Sequence, residues 1–202
     1  MEFVKEFAIF LHQNGAIKFG NFKLSSGKES SYYIDLRIVP SFPHQFRKMI
    51  KALQNLILEK IGLGNFDCIA SVPTSGLVIG SALAFEIVKP LIYIREKPKE
   101  YGAENVIEGK IPKGARVLLV DDVATTGLSL LNAIRALKEA GMLVTDAFAI
   151  INRFEGAREL LASENVRLYE LTDIATLASF LNKENILSNQ TFEEVKKQIG
   201  LI

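Results

Sequence analysis

The stretch that decides the fold runs Val117-Leu118-Leu119-Val120-Asp121-Asp122-Val123-Ala124-Thr125-Thr126-Gly127-Leu128-Ser129. Four apolar residues lead directly into two neighbouring carboxylates and then into a turn that contains hydroxyl groups and a glycine. An unbroken apolar strand is typical of a parallel sheet that is covered on both faces. Because ligands of such sheets bind beyond the carboxyl ends of the strands, the two acids fall where a ligand would bind.

A helix is predicted directly after this turn. Leu128, Leu131, Ile134 and Leu137 recur at helical spacing on one face, and Gly141 is placed as the stop signal. The first N–H groups of a helix and the positive end of its dipole favour an anion, most naturally a phosphate. Taken singly, the acids would fit a solvated turn and the glycine a helix cap. Together with the strand and the helix, they predict a phosphate-binding turn.

Strands and helices alternate from about residue 43 onward, and this alternation predicts parallel βαβ units. The N-terminal part differs, because residues 2–13 predict an amphipathic helix and residues 16–36 predict short strands. The predicted strands of the alternating part cover 67–72, 90–95, 116–121, 143–151 and 166–171. Residues 73–76 are predicted to form a turn, followed by a helix that runs to about residue 88. The other predicted helices cover 43–61, 127–140, 157–163, a segment from 173, and 191–199.

The polar stretch 96–113 is long for a connection in a compact domain, and it contains several glycines and prolines. Connections of this length commonly serve as lids or binding loops. Arg95, Lys97 and Lys99 give its beginning a positive charge that could close over a polyanion. We therefore predict a flexible, irregular binding loop here, with an ordinary solvated charge run as the alternative.

Composition narrows the class of protein. The 202 residues are 49% hydrophobic and carry a net charge of +1, which suits one globular domain without a nucleic-acid footprint. The single cysteine, Cys68, lies in an apolar strand and is expected to pack as a small hydrophobe. No secretory pattern or membrane-spanning apolar run occurs, so we expect a cytoplasmic protein with no membrane partner.

Five segments carry a resemblance to a known family. The central stretch resembles the 5-phosphoribosyl-1-pyrophosphate signature of the type I phosphoribosyltransferases. Four further segments resemble the orotate phosphoribosyltransferases in particular, namely Phe19–Lys28 with Tyr32–Asp35 (the N-terminal hood), Pro73–Gly76 (the pyrophosphate loop), Arg95–Gly102 with Ile107–Gly109 (the catalytic loop) and Ile151–Gly156 (the segment of the orotate-binding arginine).

The resemblance implies the type I phosphoribosyltransferase fold: α/β, with a twisted, mainly parallel sheet flanked by helices and a small β-rich hood. It implies one domain over 1–202, with helix and hood in 1–40 and the α/β core in 41–202. It also implies transfer of phosphoribosyl from 5-phosphoribosyl-1-pyrophosphate to orotate, giving orotidine 5′-monophosphate and pyrophosphate in pyrimidine biosynthesis. The cofactor would be Mg²⁺. No residue would coordinate the ion directly, but Asp121 and Asp122 could contact it through bound water.

By the same resemblance, the catalytic residues are Lys99, Asp121, Asp122, Arg95 and Tyr101. The planar guanidinium of Arg153 can form two parallel hydrogen bonds to the orotate carboxylate. A lysine cannot form such a bidentate pair. Orotate binding would fall to Lys28, Tyr33, Ile34, Thr125 and Arg153. Binding of the pyrophosphorylated sugar would fall to Thr74, Ser75, Gly76, Arg95, Lys97, Lys99, Tyr101, Asp121, Asp122, Val123, Ala124, Thr125, Thr126, Gly127, Leu128 and Ser129.

The sequence departs from the best-known form of this family at several positions. Ser25 and Ser75 stand where some members carry lysine, and Tyr101 stands where a loop histidine occurs. Glu96 follows Arg95 where a lysine usually comes first, so either Lys97 substitutes or the loop attracts pyrophosphate less strongly. These departures affect the detailed roles more than the class of reaction.

The resemblance further implies a homodimer in which loop 96–109 of one subunit contributes to the neighbour's site. Two alternatives remain open. One is a purine or uracil phosphoribosyltransferase, and the other is a non-catalytic regulator that senses nucleotides on the same fold. The balanced charge and the lysines of the loop argue against a regulator that binds nucleic acid.

Overall fold

The computed structural model describes residues 2–23, 27, 29–95 and 106–201. The chain divides into two compact units, one formed by residues 1–49 with 172–202 and the other by residues 50–171. The predicted α/β fold with a mainly parallel sheet and a small N-terminal β-sheet is confirmed. The predicted domain arrangement, with its boundary near residue 40, stays a prediction.

The predicted elements are found within a few residues of their expected bounds. The helices are α1 (Glu2–Gln13), α2 (Pro43–Lys60), α3 (Ser75–Ile87), α4 (Leu128–Glu139), α5 (Ala157–Ala162), α6 (Ile174–Lys183) and α7 (Asn189–Gln198), with a short 3-10 helix at Leu36–Ser41. The strands are β1 (Ile17–Lys23), β2 (Glu29–Ile34), β3 (Cys68–Ser71), β4 (Leu91–Ile94), β5 (Ile107–Glu108), β6 (Arg116–Ala124), β7 (Leu143–Asn152) and β8 (Arg167–Asp173).

The larger sheet has the strand order β5-β4-β3-β6-β7-β8. Strands β4, β3, β6 and β7 run parallel to one another, and β5 runs antiparallel to β4. Its central strands are almost wholly apolar because both faces are covered, as the sequence predicts. Cys68 on β3 is fully buried in this core, where burial raises the pKa of its thiol to about 11.

Strand β6 is longer than predicted, and this changes the position of the two acids. The sequence places its end at residue 121, whereas the strand continues to Ala124, which pairs with Asn152 of β7. Asp121 and Asp122 therefore lie within the last part of the strand and not beyond it. The expectation was wrong here because a strand's end depends on its neighbour, which the polarity of the chain does not reveal.

Helix α3 packs very closely on the sheet through two glycines one turn apart. A Cβ atom at Gly80 would lie 1.8 Å from Oγ of Ser71 on β3, and a Cβ atom at Gly76 would lie 2.5 Å from a carboxylate oxygen of Asp121 on β6. Neither position has room for a side chain. The spacing of four puts both glycines on one face of the helix, so this face rests directly on the strands.

Helix α4 buries most of the predicted face, with one exception at its first residue. The expected stripe began at Leu128, but this side chain is 59% exposed. The buried residues of α4 are Leu130, Leu131, Ala133, Ile134 and Leu137. Leu131, Ile134 and Leu137 were placed correctly, and Leu128 was placed wrongly because it lies at the first position of the helix, opposite the covered face.

The stretch predicted to be irregular contains a short strand. Residues 107–108 form β5, which pairs with β4 through Tyr93 opposite Glu108 and Ile94 opposite Ile107. A backbone hydrogen bond of 2.8 Å from Arg95 N–H to the Val106 carbonyl continues this pairing. The two described ends of the stretch are thus joined at the edge of the sheet.

The unit formed by residues 1–49 and 172–202 contains the hood. Strands β1 and β2 pair antiparallel, and helix α7 contacts β2. The side chain of Tyr32 is fully buried while that of Tyr33 is partly exposed. Because successive side chains of a strand point to opposite faces, one of the two neighbouring tyrosines belongs to the core of this unit and the other does not.

Candidate active site

The two carboxylates at the end of β6 occupy different environments. Asp121 is 8% exposed, and one of its carboxylate oxygens accepts a 2.9 Å hydrogen bond from the backbone N–H of Asp122. Burial raises the pKa of Asp121 well above its usual range, and the charge of Asp122 adds to the rise. Among the described residues, no cationic side chain forms an ion pair with Asp121. The site therefore holds a carboxyl group that a bound cation would favour in its charged form.

The turn after β6 encloses a small cavity at the beginning of α4. The cavity has a volume of about 70 Å³ and is lined by Asp121 and by every residue from Val123 to Leu130. It therefore contains all the residues predicted to hold the 5-phosphate, from Ala124 to Ser129. The N-terminal N–H groups of α4 suit a phosphate here, because none of them has a carbonyl partner within the helix.

Gly127 gives this turn its shape. Its φ of 84° lies in the left-handed region, and it stands immediately before the first residue of α4. A Cβ atom at Gly127 would lie 3.0 Å from the Cα atom of Ala157 and 3.1 Å from a methyl group of Leu161. The turn is thus held both by its backbone conformation and by close packing on α5.

Arg153 follows directly after β7 and lies beside this turn. Its backbone N–H donates a 2.9 Å hydrogen bond to the carbonyl of Ala124, which lines the cavity. Its guanidinium is largely buried, and Nε lies 2.8 Å from a carboxylate oxygen of Glu155. The structure therefore brings Arg153 and the beginning of the phosphate turn together at neighbouring strand ends.

Asn152 is a residue of this site that the sequence analysis did not single out. It is 1% exposed, and its Oδ1 accepts a 2.9 Å hydrogen bond from the backbone N–H of Phe154, whose φ is 58°. Within the described part of the chain, its Nδ2 has no hydrogen-bond partner. A polar residue at the end of an apolar strand is a signal that could have found it, because such residues shape the following turn.

The predicted pyrophosphate loop lies at the start of α3. Thr74 immediately precedes the helix, and the peptide bond between Pro73 and Thr74 is cis. The close contact of Gly76 with Asp121 brings this loop directly to the acids of β6. Gly76 and Asp121 are therefore in direct contact, and Thr74, Ser75 and Asp122 adjoin this contact along the chain.

Arg95 has a partner that the sequence analysis did not foresee. One of its guanidinium nitrogens, Nη1, lies 3.2 Å from a carboxylate oxygen of Glu108, across the β4–β5 pair. The arginine thus lies at the base of the predicted catalytic loop. Of the remaining loop and hood predictions, Lys28, Lys97, Lys99 and Tyr101 lie outside the described residues.

Tyr33 and Ile34 lie at the end of β2 in the hood. Ile34 pairs with Ile17 and Tyr33 with Lys18. The Tyr33 ring packs 5.9 Å from the ring of Phe22, measured between centroids. Both positions therefore belong to a paired strand whose backbone is held in register.

Residues 2–23, 27, 29–95 and 106–201 contain no group of three or more His, Cys, Asp or Glu side chains that could hold a metal ion. None of the helices formed by these residues is both long enough and apolar enough to cross a membrane.

Comparison with known proteins gives a consistent result. Residues 43–167 match the family model described as "Phosphoribosyl transferase domain". The orotate phosphoribosyltransferase of Cenarchaeum symbiosum is 47% identical over 196 residues, which is 97% of this chain and 98% of that protein.

Solved structures agree with this match. The crystal structure of orotate phosphoribosyltransferase from Aeropyrum pernix superposes with a TM-score of 0.76 at 37% identity, covering 88% of this chain and 97% of that one. The structure of Leishmania donovani UMP synthase gives a TM-score of 0.85 at 32% identity, and the match covers 98% of this chain but only 42% of that longer one.

Proposed function

We propose that this chain, which belongs to the orotate phosphoribosyltransferase family, transfers the phosphoribosyl group of 5-phosphoribosyl-1-pyrophosphate to orotate. The products are orotidine 5′-monophosphate and pyrophosphate, in pyrimidine biosynthesis. The observation that carries the proposal is the meeting of three features at neighbouring strand ends. These are the two acids of β6, the cavity of the following turn, and Arg153, whose backbone is bonded to Ala124.

The chemistry of the substrates explains why these groups belong together. In the reaction a bond forms between the orotate nitrogen and C1 of the ribose, and pyrophosphate leaves with the electrons of the broken C–O bond. Positive charge develops on the sugar, so preorganised carboxylates at Asp121 and Asp122 would stabilise the transition state. The turn of residues 124–129 would bind the 5-phosphate, and Thr74, Ser75 and Gly76 would bind the pyrophosphate through backbone groups.

Magnesium is part of this proposal. Asp121 and Asp122 offer the oxygen donors that Mg²⁺ prefers, and their number suits an ion that keeps most of its water and is bound mainly by the pyrophosphate. When bound, the ion would supply positive charge to the leaving group. The charged form of Asp121, which burial disfavours, would gain a compensating charge nearby.

Selection of orotate is assigned to Arg153, and Lys28, Tyr33, Ile34 and Thr125 are assigned to the base on the resemblance alone. A guanidinium can donate two parallel hydrogen bonds to a carboxylate, and neither adenine nor uracil carries a carboxylate. Glu155 supports this role because its bond to Nε fixes the side chain of Arg153. Lys99, with Arg95, Lys97 and Tyr101, is assigned to the departing pyrophosphate on the resemblance alone.

The test follows the loss of orotate absorbance. The protein is incubated with magnesium, 5-phosphoribosyl-1-pyrophosphate and orotate, and adenine, hypoxanthine and uracil are offered in parallel reactions. We expect turnover with orotate and a large fall in rate when magnesium is chelated. Turnover with a purine or uracil but not with orotate would reject the substrate. Lys99→Ala should lower the rate strongly without changing the unfolding midpoint.

A homodimer and a cytoplasmic location also belong to the proposal. Exposed apolar residues on α3 support the dimer, because Val78 and Phe85 lie seven positions apart on one side of the helix and are 43% and 87% exposed, respectively. Phe85→Glu should give a monomer in analytical ultracentrifugation, whereas Leu143→Glu, an exposed apolar residue at the start of β7, should not. The location rests on the sequence alone.

A further inference from the structure

The side-chain amide of Gln198, on the last turn of α7, makes three hydrogen bonds to hood strand β2. Its Oε1 accepts a bond of 2.6 Å from the backbone N–H of Ser31 and one of 2.7 Å from the Ser31 hydroxyl. Its Nε2 donates a bond of 3.0 Å to the hydroxyl of Ser30. One side chain thus joins two segments that lie 167 positions apart in the sequence.

These bonds occupy the outer edge of a two-stranded sheet. Strand β1 pairs with one edge of β2, and an unpaired edge would leave backbone N–H groups without partners. The carboxamide of Gln198 offers an acceptor and a donor side by side, as a peptide group does. It therefore accepts the hydrogen bond of the Ser31 backbone N–H, as a carbonyl group of a further strand would.

The contact also fixes the interior of the hood. The Ser30 hydroxyl, which is 3% exposed, accepts the bond from Gln198 and donates a 2.7 Å bond to the carbonyl of Tyr32. Tyr32 is fully buried. A chain of hydrogen bonds therefore runs from α7 through Ser30 to the residue that immediately precedes Tyr33 and Ile34.

Helix α7 is itself firmly held, so it can serve as an anchor. Val195 is fully buried, and the Ser188 hydroxyl caps the first turn by accepting a bond from the Thr191 N–H. Asn182 of α6 donates a 2.8 Å bond to the side chain of Asn189 at the start of α7. The position of the Gln198 amide is thus set by contacts on several sides of its helix.

We propose that Gln198 is a positioning residue for orotate, holding β2 so that the backbone around Tyr33 and Ile34 presents one fixed geometry to the base. The inference rests on the proposed function, because that function gives Tyr33 and Ile34 their role. Gln198 does not touch the substrate in this account. It acts through β2, and so its effect falls on the base and not on the pyrophosphorylated sugar.

The experiment compares Gln198→Ala with Gln190→Ala. Gln190 lies on the same helix and donates a local 3.1 Å hydrogen bond to Glu194, so it is a matched control. Loss of the three bonds should raise the KM for orotate about tenfold in Gln198→Ala, the size of one typical hydrogen bond, because Gln198 acts on the base only indirectly through β2. The KM for the pyrophosphorylated sugar should stay unchanged in Gln198→Ala. The unfolding midpoint should stay unchanged in the control, Gln190→Ala.

Two further variants separate positioning from general destabilisation. Gln198→Glu keeps the acceptor of both Ser31 bonds and should restore much of the orotate KM. Ser31→Ala keeps the backbone N–H bond and loses only the hydroxyl bond, so it should give a smaller shift in the same direction. Amide hydrogen exchange at Ser31 should be faster in Gln198→Ala and unchanged in Gln190→Ala.

The outcomes are distinguishable. If the wild-type protein shows no turnover with orotate, both the proposed function and this inference fail. If the wild-type protein converts orotate but Gln198→Ala leaves its KM unchanged, or raises the KM for both substrates equally, only the inference about Gln198 is overturned.

Discussion

Two strand-to-helix turns lie side by side in this protein, the β6–α4 turn (residues 124–127) and the β7–α5 turn (residues 152–156). Each ends in a glycine with a positive φ, 84° at Gly127 and 102° at Gly156. The surroundings differ, since a Cβ atom at Gly127 would press on Ala157, whereas one at Gly156 would meet nothing within 4 Å. The same residue type is required at one turn by conformation and packing together, and at the other by conformation alone.

The charges of the two turns differ in a related way. Arg153 in the second turn has Glu155 at 2.8 Å, so its charge is compensated within the protein. Asp121 before the first turn is equally buried and has no ion pair among the described residues. Glu155 balances the charge of Arg153 within the β7–α5 turn, whereas Asp121 has no cationic partner among the residues that the structure describes.

The largest expected effect concerns the two glycines. Gly127→Ala forces an alanine into the left-handed backbone conformation and brings its Cβ atom against the backbone of α5. We expect it to lower the free energy of unfolding by about 3 kcal/mol. Gly156→Ala adds the strain alone and should cost about 1 kcal/mol. Urea denaturation of both variants measures the difference, and equal losses would show that packing on Ala157 does not distinguish the turns.

The next effect concerns the compensated charge. Arg153→Ala should lower kcat/KM for orotate about a hundredfold, because a charge-assisted bidentate contact is lost, and should leave the KM for the pyrophosphorylated sugar within about threefold. Arg158→Ala is the control, since this exposed arginine on α5 pairs with Glu170 instead. An equal loss of activity with every base tested would argue against a carboxylate contact.

The smallest effect concerns the uncompensated charge. Burial raises the pKa of Asp121 in the folded protein above its pKa in the unfolded chain, so between these two pKa values the folded protein binds more protons. Protonation of Asp121 therefore favours the folded state. This stabilisation is present in full below the unfolded pKa and is lost as pH rises through the folded pKa. Asp121→Asn should therefore stabilise the protein by on the order of 1 kcal/mol at pH 8, and much less at pH 4, while activity falls.

Thermal unfolding at both pH values checks this expectation. Asp122→Asn is the matched variant, because Asp122 is less buried and lies in the same strand. If the aspartate-to-asparagine change at 121 destabilised the protein equally at both pH values, the buried carboxyl group would have to be stabilised by contacts other than those described.

The sequence predicted most of the elements because hydrophobic periodicity records which sides of helices and strands are covered. It predicted the phosphate turn because an apolar strand, an acidic pair and a glycine before a helix have one common arrangement. It could not predict that β6 extends to Ala124, because that extension depends on pairing with Asn152. Nor could periodicity show that Leu128, at the first position of α4, faces away from the core.

Close approaches were also beyond the sequence. Gly80 was predicted inside a helix and Gly76 in the turn before it, and only the packed structure shows that Asp121 and Ser71 fill the space beside them. Their spacing of four was a usable signal, since paired glycines on one helical face indicate a neighbouring backbone. The Arg95–Glu108 pair was missed because β5 was predicted as irregular chain.

The hydrogen bond from Arg95 to Val106 has a consequence for how this enzyme family can change. It brings together the two residues that flank segment 96–105, at the rim of the sheet. Doubling the length of a connection between two such fixed points costs only about 0.6 kcal/mol in closure entropy. Longer or shorter connections between Arg95 and Val106 can therefore be accommodated while strands β4 and β5 keep their register.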